Sequence, residues 1–172
     1  MFLKACHNWW AFFLFDHFTF MWFKILVFLF FNFGALALGG IFAGSGAGSV
    51  WYNQLNKAPW TPPGWVFGFA WTTIMVCFAV YMALLFKRKT EKGNILLLYF
   101  VQWLLNVAWN PAFFFFHKAN LGLVVIVCLT ILITYFLFNY WKDLKLYSLL
   151  ILPYFIWLCI ATSLNAYISI MN

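Results

Sequence analysis

The chain has 172 residues, of which 67% are apolar and only 8% charged, with a net charge of +7. A soluble domain carries about 25% charged side chains, so ten basic and three acidic residues cannot cover a water-facing surface, and a water-soluble globule is excluded. The length suits one compact unit rather than two domains.

Residues 1–23 form an N-terminal extension. Its first twenty residues, MFLKACHNWWAFFLFDHFTF, are aromatic but broken by Asp16 and His17. They read either as an interfacial Trp/Phe-rich helix or as sequence upstream of a start at Met21, where MWFKILVF opens a membrane helix. No small-residue cleavage site precedes the first span, so a signal peptide is not expected.

Residues 24–172 hold five long apolar segments, near 24–43, 65–86, 95–116, 120–140 and 146–170. A span needs roughly 20 apolar residues, because the hydrocarbon core is about 30 Å thick and a helix rises about 1.5 Å per residue. The segments do not alternate in polarity, and backbone groups in lipid need partners within their own segment. The expected fold is an all-α membrane protein, a bundle of five transmembrane helices with a long loop between helices 1 and 2. The lipid bilayer is its first partner.

With five spans, Lys4, Lys24, Lys87, Arg88, Lys89, Lys92, Lys142 and Lys145 share one side, and Lys57 and Lys118 the other. Basic residues concentrate on the cytoplasmic side. The N-terminus is therefore expected to be cytoplasmic and the C-terminus outside. Topology accounts for the positive charge, and no nucleic-acid partner is expected.

The break after the first span contains WYNQLNKAPWTPPGW, residues 51–65. Tryptophan and tyrosine favour the membrane–water interface. Pro59, Pro62 and Pro63 stiffen the backbone. Such a loop serves either as an interfacial anchor or as a lid over a cavity, with Trp51, Tyr52, Trp60, Pro62 and Pro63 as its candidate residues. Upstream of it, Gly40, Gly44 and Gly48 form a small-xxx-small series that predicts close helix packing, either within one chain or between two.

In the third span Gln102, Asn106 and Asn110 recur every four residues, which places three amides in one stripe flanked by Trp103 and Trp109. An unpaired amide in hydrocarbon costs on the order of several kcal/mol, so each must face protein, a cavity or a ligand. Interhelical hydrogen bonding and a polar-aromatic pocket both satisfy them. In the fifth span Trp157, Ala161 and Asn165 recur with the same spacing, the small residue leaving room between the larger ones. Trp71 continues the pattern in the second span.

No Asp, Glu, Lys or Arg lies well inside a predicted span, which disfavours ion-coupled transport. Cys6, Cys77, Cys128 and Cys159 have no metal-ligand spacing, and His7, His17 and His117 are scattered. No nucleophile–base pair or phosphate loop is visible, so no catalytic residue, metal or required cofactor is assigned.

Three stretches carry a resemblance: WYNQLNKAPWTPPGWVFGFAW (51–71), QWLLNVAWNPAFFF (102–115) and LLILPYFIWLCIATSLN (149–165). In order and placement they resemble the TspO/MBR family of tryptophan-rich sensory proteins and translocator proteins, over about residues 25–172. The resemblance implies five helices around a pocket that binds porphyrins, such as protoporphyrin IX or haem, and other flat hydrophobic ligands. It also implies a possible homodimer, and residence in a bacterial inner or plasma membrane. Trp71 and Asn106 would donate hydrogen bonds to the ligand; Trp109, Trp157 and Ala161 would form the wall; Tyr52, Trp60 and Pro63 would form the lid. A sensory, transport or tetrapyrrole-homeostasis role follows, with light-dependent porphyrin degradation as the alternative. The lid departs from the family's Lys-Pro-x-Trp in reading Lys57-Ala58-Pro59-Trp60. No basic residue follows Tyr167 in AYISIMN, so the resemblance does not extend to the sterol motif of mitochondrial members.

Overall fold

The computed structural model describes residues 2–172, with side chains described from Phe20 onward. Seven helices are described: α1 (Phe2–Ala43), α2 (Val50–Gln54), α3 (Gly64–Arg88), α4 (Gly93–Asn110), α5 (Ala119–Asn139), α6 (Trp141–Leu144) and α7 (Leu152–Met171). A π-helical turn, Pro111–Phe115, extends α4, and a 3-10 segment, Lys145–Ile151, joins α6 to α7. Among the described residues, five helical stretches are long and apolar enough to cross a membrane: Phe20–Gly48, Gly64–Arg88, Gly93–Phe115, Ala119–Asn139 and Trp141–Met171. The expected five-helix architecture is present, and the protein is an integral membrane protein. α1 runs unbroken from Phe2, well ahead of its membrane-crossing part. The two readings of the N-terminal extension turn on residues 1–19, whose side chains lie outside the described set.

Local chemistry sets the ends of the elements. Gly44 and Gly46 have φ of +54° and +52°, a left-handed conformation open to glycine at little cost, and it stops α1. Pro63 has extended backbone (ψ 149°) and caps α3. Pro111 has no N–H to continue the α ladder; Phe116 N–H instead donates to Pro111 O across five residues at 2.9 Å.

The five spans form a closed ring. α1 packs on α3 and α4, α4 on α5, α5 on α7, and α7 back on α3. The loop after α3 meets α6 through a Lys89–Asp143 salt bridge (2.9 Å) and an Arg88 hydrogen bond to Asp143 O (2.6 Å). Lys87–Lys92, Lys142 and Lys145 thus gather at one end of the bundle. The outward surface is apolar, with Phe30, Ile131 and Ile170 each more than 60% exposed, as a lipid-facing surface requires.

Toward the basic end the ring is filled by aromatic and aliphatic side chains. Phe78, Tyr81, Met82, Ile133, Phe136 and Tyr154 are almost wholly buried. One polar tie that the sequence reading did not single out lies here. Buried Asn32 of α1 donates to Met75 O (3.0 Å) and accepts from the Tyr99 hydroxyl (2.7 Å), joining α1, α3 and α4.

Within the chain the small-xxx-small series makes no close approach. A Cβ at Gly40 or Gly48 would meet nothing within 4 Å, and Gly44 ends the helix. The close approaches are at Gly39, where a Cβ would stand 2.5 Å from Asn110 Nδ2, and at Gly122, where it would stand 3.0 Å from Asn165 Oδ1 and 3.1 Å from Phe113. One residue is about 100° of helix rotation, so a neighbouring glycine faces another direction.

Candidate functional site

A small cavity lies inside the ring at the end opposite the basic loops. α3 contributes Phe67 and Trp71, one turn apart. α4 and its π turn contribute Trp109, Phe113 and Phe114. α7 contributes Trp157, Ala161, Leu164, Asn165 and Ile168. Ala47 and Tyr52, from the segment after α1, close it.

The walls are fixed by ring contacts. Trp109 and Phe113, four residues apart, stack with centroids 5.4 Å apart and planes 12° apart. Phe67 meets Trp157 edge-on at 5.3 Å, and Trp71 meets Tyr154 edge-on at 6.1 Å. Trp109 Nε1 donates to Asn165 Oδ1 (3.1 Å), whose Nδ2 donates to Ala119 O (2.8 Å). Asn165 thereby fastens three helices. Trp157 is only 6% exposed, and its Nε1 has no hydrogen-bond partner among the described residues. Leaving such a donor unmade costs roughly 1–3 kcal/mol.

Of the residues expected to bind ligand, Trp71, Trp109, Trp157 and Ala161 share this cavity. The three amides lie elsewhere. Gln102 Nε2 and Asn106 Nδ2 both donate to the Tyr154 hydroxyl, at 2.8 and 2.7 Å. They fasten α4 to α7 beneath the cavity and do not line it. Asn110 lies against Gly39 of α1. Asn165, already in the fifth-span stripe, is also a wall residue, and Phe67 and Phe113 are wall residues that the sequence pattern did not mark. Each of these two stands four residues from a residue expected to bind ligand, so extending the stripes by one turn finds them.

The lid residues divide in the same way. Tyr52 is buried over the cavity, edge-on to Phe113 at 6.2 Å, and burial raises its phenol above the ordinary value. Trp51 packs beside it, edge-on to Phe113 and stacked on His117 at 4.3 Å. Trp60 does not touch the cavity. Its Nε1 donates to Ser163 Oγ (3.2 Å) on the outside of α7, and its ring meets Tyr167 edge-on. Pro62 and Pro63 lead into α3. Asn56 N–H donates to Asn172 Oδ1 (2.9 Å), tying the loop to the end of α7.

The cavity volume is about 30 Å³, close to one water's share of liquid volume. Small-molecule pockets usually hold roughly 300–1,000 Å³. It is a small enclosed space with aromatic walls beneath Tyr52, and the loop above it is tied to α7 by surface hydrogen bonds.

Residues 25–171 match the sequence model of the TspO/MBR family. Protein CrtK of Rhodobacter capsulatus is 31% identical over 75% of this chain and 80% of its own length. The tryptophan-rich protein TspO of Chlorobaculum tepidum is 33% identical over 72% of this chain and 80% of its own. The human translocator protein is 34% identical over 73% and 79%. With its five-helix ring, its tryptophan-walled cavity and a match that runs nearly end to end through them, the chain belongs to the TspO/MBR family.

Proposed function

We propose that the protein binds a tetrapyrrole or a similar flat hydrophobic ligand in the cavity beneath Tyr52, in a sensory or translocator-type role. The unpartnered Trp157 donor carries the reading. An acceptor on the ligand would satisfy it, while Trp71, Trp109 and Phe113 offer ring faces to a planar molecule. Ring burial would supply most of the affinity, at about 25 cal/mol per Å² of apolar surface, and a neutral hydrogen bond would add only about 0.5–1.5 kcal/mol.

A macrocycle cannot enter about 30 Å³, so binding must first swing the loop before α3 outward. The ties that hold it, Trp60 to Ser163 and Asn56 to Asn172, lie on the surface. Surface ties of this kind open at low free energy. The same reading places the basic end at the cytoplasm by the positive-inside bias, so the cover faces outward. Tryptophan quenching by protoporphyrin IX tests it: Trp157→Phe should weaken binding about 2- to 12-fold, the worth of one hydrogen bond. Unchanged affinity in Trp71→Phe/Trp157→Phe would sink the proposal.

A further inference from the structure

A second and larger concavity lies on the outer face of the bundle, between α1 and α4, at the basic end. It has a volume of about 550 Å³ and almost no polar wall. Phe20, Phe23 and Phe31 of α1, Phe86 of α3, and Phe100 and Trp103 of α4 form most of it. Phe20 and Phe31 are eleven residues apart, which spans about 16 Å of helix. That is close to half of the roughly 30 Å hydrocarbon core, the depth of one leaflet. At the deep end Trp103 Nε1 donates to Phe31 O (2.9 Å), and the two helices close together.

The shallow end is cationic. Lys24 Nζ stands 4.5 Å from the Phe20 ring centroid, and Lys92 Nζ stands 5.2 Å from that of Phe86. Lys24 lines the groove, and Lys92 stands beside its Phe86 wall. Lys24 feels the positive charge of both Lys92 and Lys87. Among the described residues, the salt bridge at this end is Lys89–Asp143, and it offers no carboxylate to Lys24 or Lys92. Like charges gathered over an apolar slot one leaflet deep call for a molecule with an anionic head and a hydrocarbon tail.

We infer that the α1–α4 groove retains an anionic phospholipid, with its phosphate between Lys24 and Lys92 and an acyl chain along Phe23, Phe31 and Phe100. Basic pockets between membrane helices take acidic headgroups in this way, and each lysine near the surface favours them on the order of fivefold. The site is separate from the cavity under Tyr52, with which it shares no wall residue.

The full chain is reconstituted in phosphatidylcholine vesicles containing a small, equal fraction of bromine-labelled phosphatidylglycerol or bromine-labelled phosphatidylcholine. Quenching of Trp103 is read as the difference between the wild type and Trp103→Phe. The acidic lipid should quench several-fold more at equal fraction. Lys24→Gln/Lys92→Gln should abolish that preference, and Lys145→Gln, away from the groove, should leave it. Three results would overturn the inference. The first is equal quenching by both lipids, which means ordinary contact with the bilayer. The second is no quenching by either, which means that a second copy or another segment of the chain covers the groove. The third is a preference that survives the double substitution.

Discussion

Tyr154 of α7 receives two amide donors from α4 on one hydroxyl, Asn106 Nδ2 at 2.7 Å and Gln102 Nε2 at 2.8 Å. All three side chains are buried, and Tyr154 is 1% exposed. This knot spans the ring beneath the cavity and sets how far apart the α4 and α7 walls stand. Tyr154→Phe would leave both amides without an acceptor in an apolar interior, which costs about 1–3 kcal/mol for each. Asn106→Leu would remove one donor and leave Gln102 bonded, so its loss should be close to the ~0.6 kcal/mol average for interhelical hydrogen bonds. Unfolding in mixed micelles should therefore rank Tyr154→Phe well below Asn106→Leu in stability. The reverse order would mean that the knot does not hold the bundle.

Gly122 and Gly40 make a matched pair. A methyl group at Gly122 would press on Asn165 Oδ1 at 3.0 Å and on Phe113 at 3.1 and 3.2 Å, both of them cavity walls. Overpacking of this kind costs roughly 1–3 kcal/mol. A methyl group at Gly40 meets open space and should gain up to about 1 kcal/mol of helix propensity. Gly122→Ala should lower the unfolding midpoint and weaken protoporphyrin binding together, while Gly40→Ala should leave binding alone and hold or raise the midpoint.

The same pair shows what was legible in the chain. Spans are legible because hydrocarbon thickness fixes their length, and the five apolar runs map onto the five helices within a few residues. Contact faces are less so, because they depend on rotation. Residues four apart drift by about 40° around a helix, so Gln102, Asn106 and Asn110 turn progressively. The first two reach Tyr154 across the ring, and Asn110 has swung to Gly39 of the neighbouring helix. The stripe Trp157, Ala161 and Asn165 drifts by the same angle but remains on the cavity, which α7 borders over a broader arc that includes Leu164 and Ile168. Asn32 is not legible in the same way, because a single amide in an apolar run has no spacing to announce it. The volume enclosed by the walls is a property of how five helices close on one another, and no local pattern encodes it.

On the opening of the loop proposed above, Tyr52 supplies a pH signature. Burial raises its phenol above the ordinary value, so the closed form favours the neutral ring. The stabilisation is complete below about pH 10, where the exposed phenol ionises, and it is lost as pH rises through the higher value of the closed form. Cover opening, followed by the rate of protoporphyrin capture, should be flat from neutral pH to about pH 9 and accelerate above pH 10. In Tyr52→Phe the alkaline acceleration should vanish. An acceleration equal in both proteins would assign it to other groups.

On the same proposal, Trp60 would separate the hinge of the cover from its contact with ligand. It is 55% exposed, lies outside the cavity wall, and holds the loop to α7 through Nε1 and Ser163 Oγ at 3.2 Å. Removing a hydrogen bond that stabilises the shut form makes opening easier by its net worth, about 0.5–1.5 kcal/mol, or roughly 2- to 12-fold in the open population. Trp60→Phe keeps the edge-on contact with Tyr167 and loses only the donor. Stopped-flow mixing should show capture and release both faster by a factor in that range, with the equilibrium affinity changed much less. Ser163→Ala should reproduce the effect, because it removes the acceptor of the same bond, and combining the two substitutions should add little. A fall in affinity carried by faster release, with capture no faster, would mean that Trp60 touches the ligand, and a cover hinged at this point would have to be abandoned.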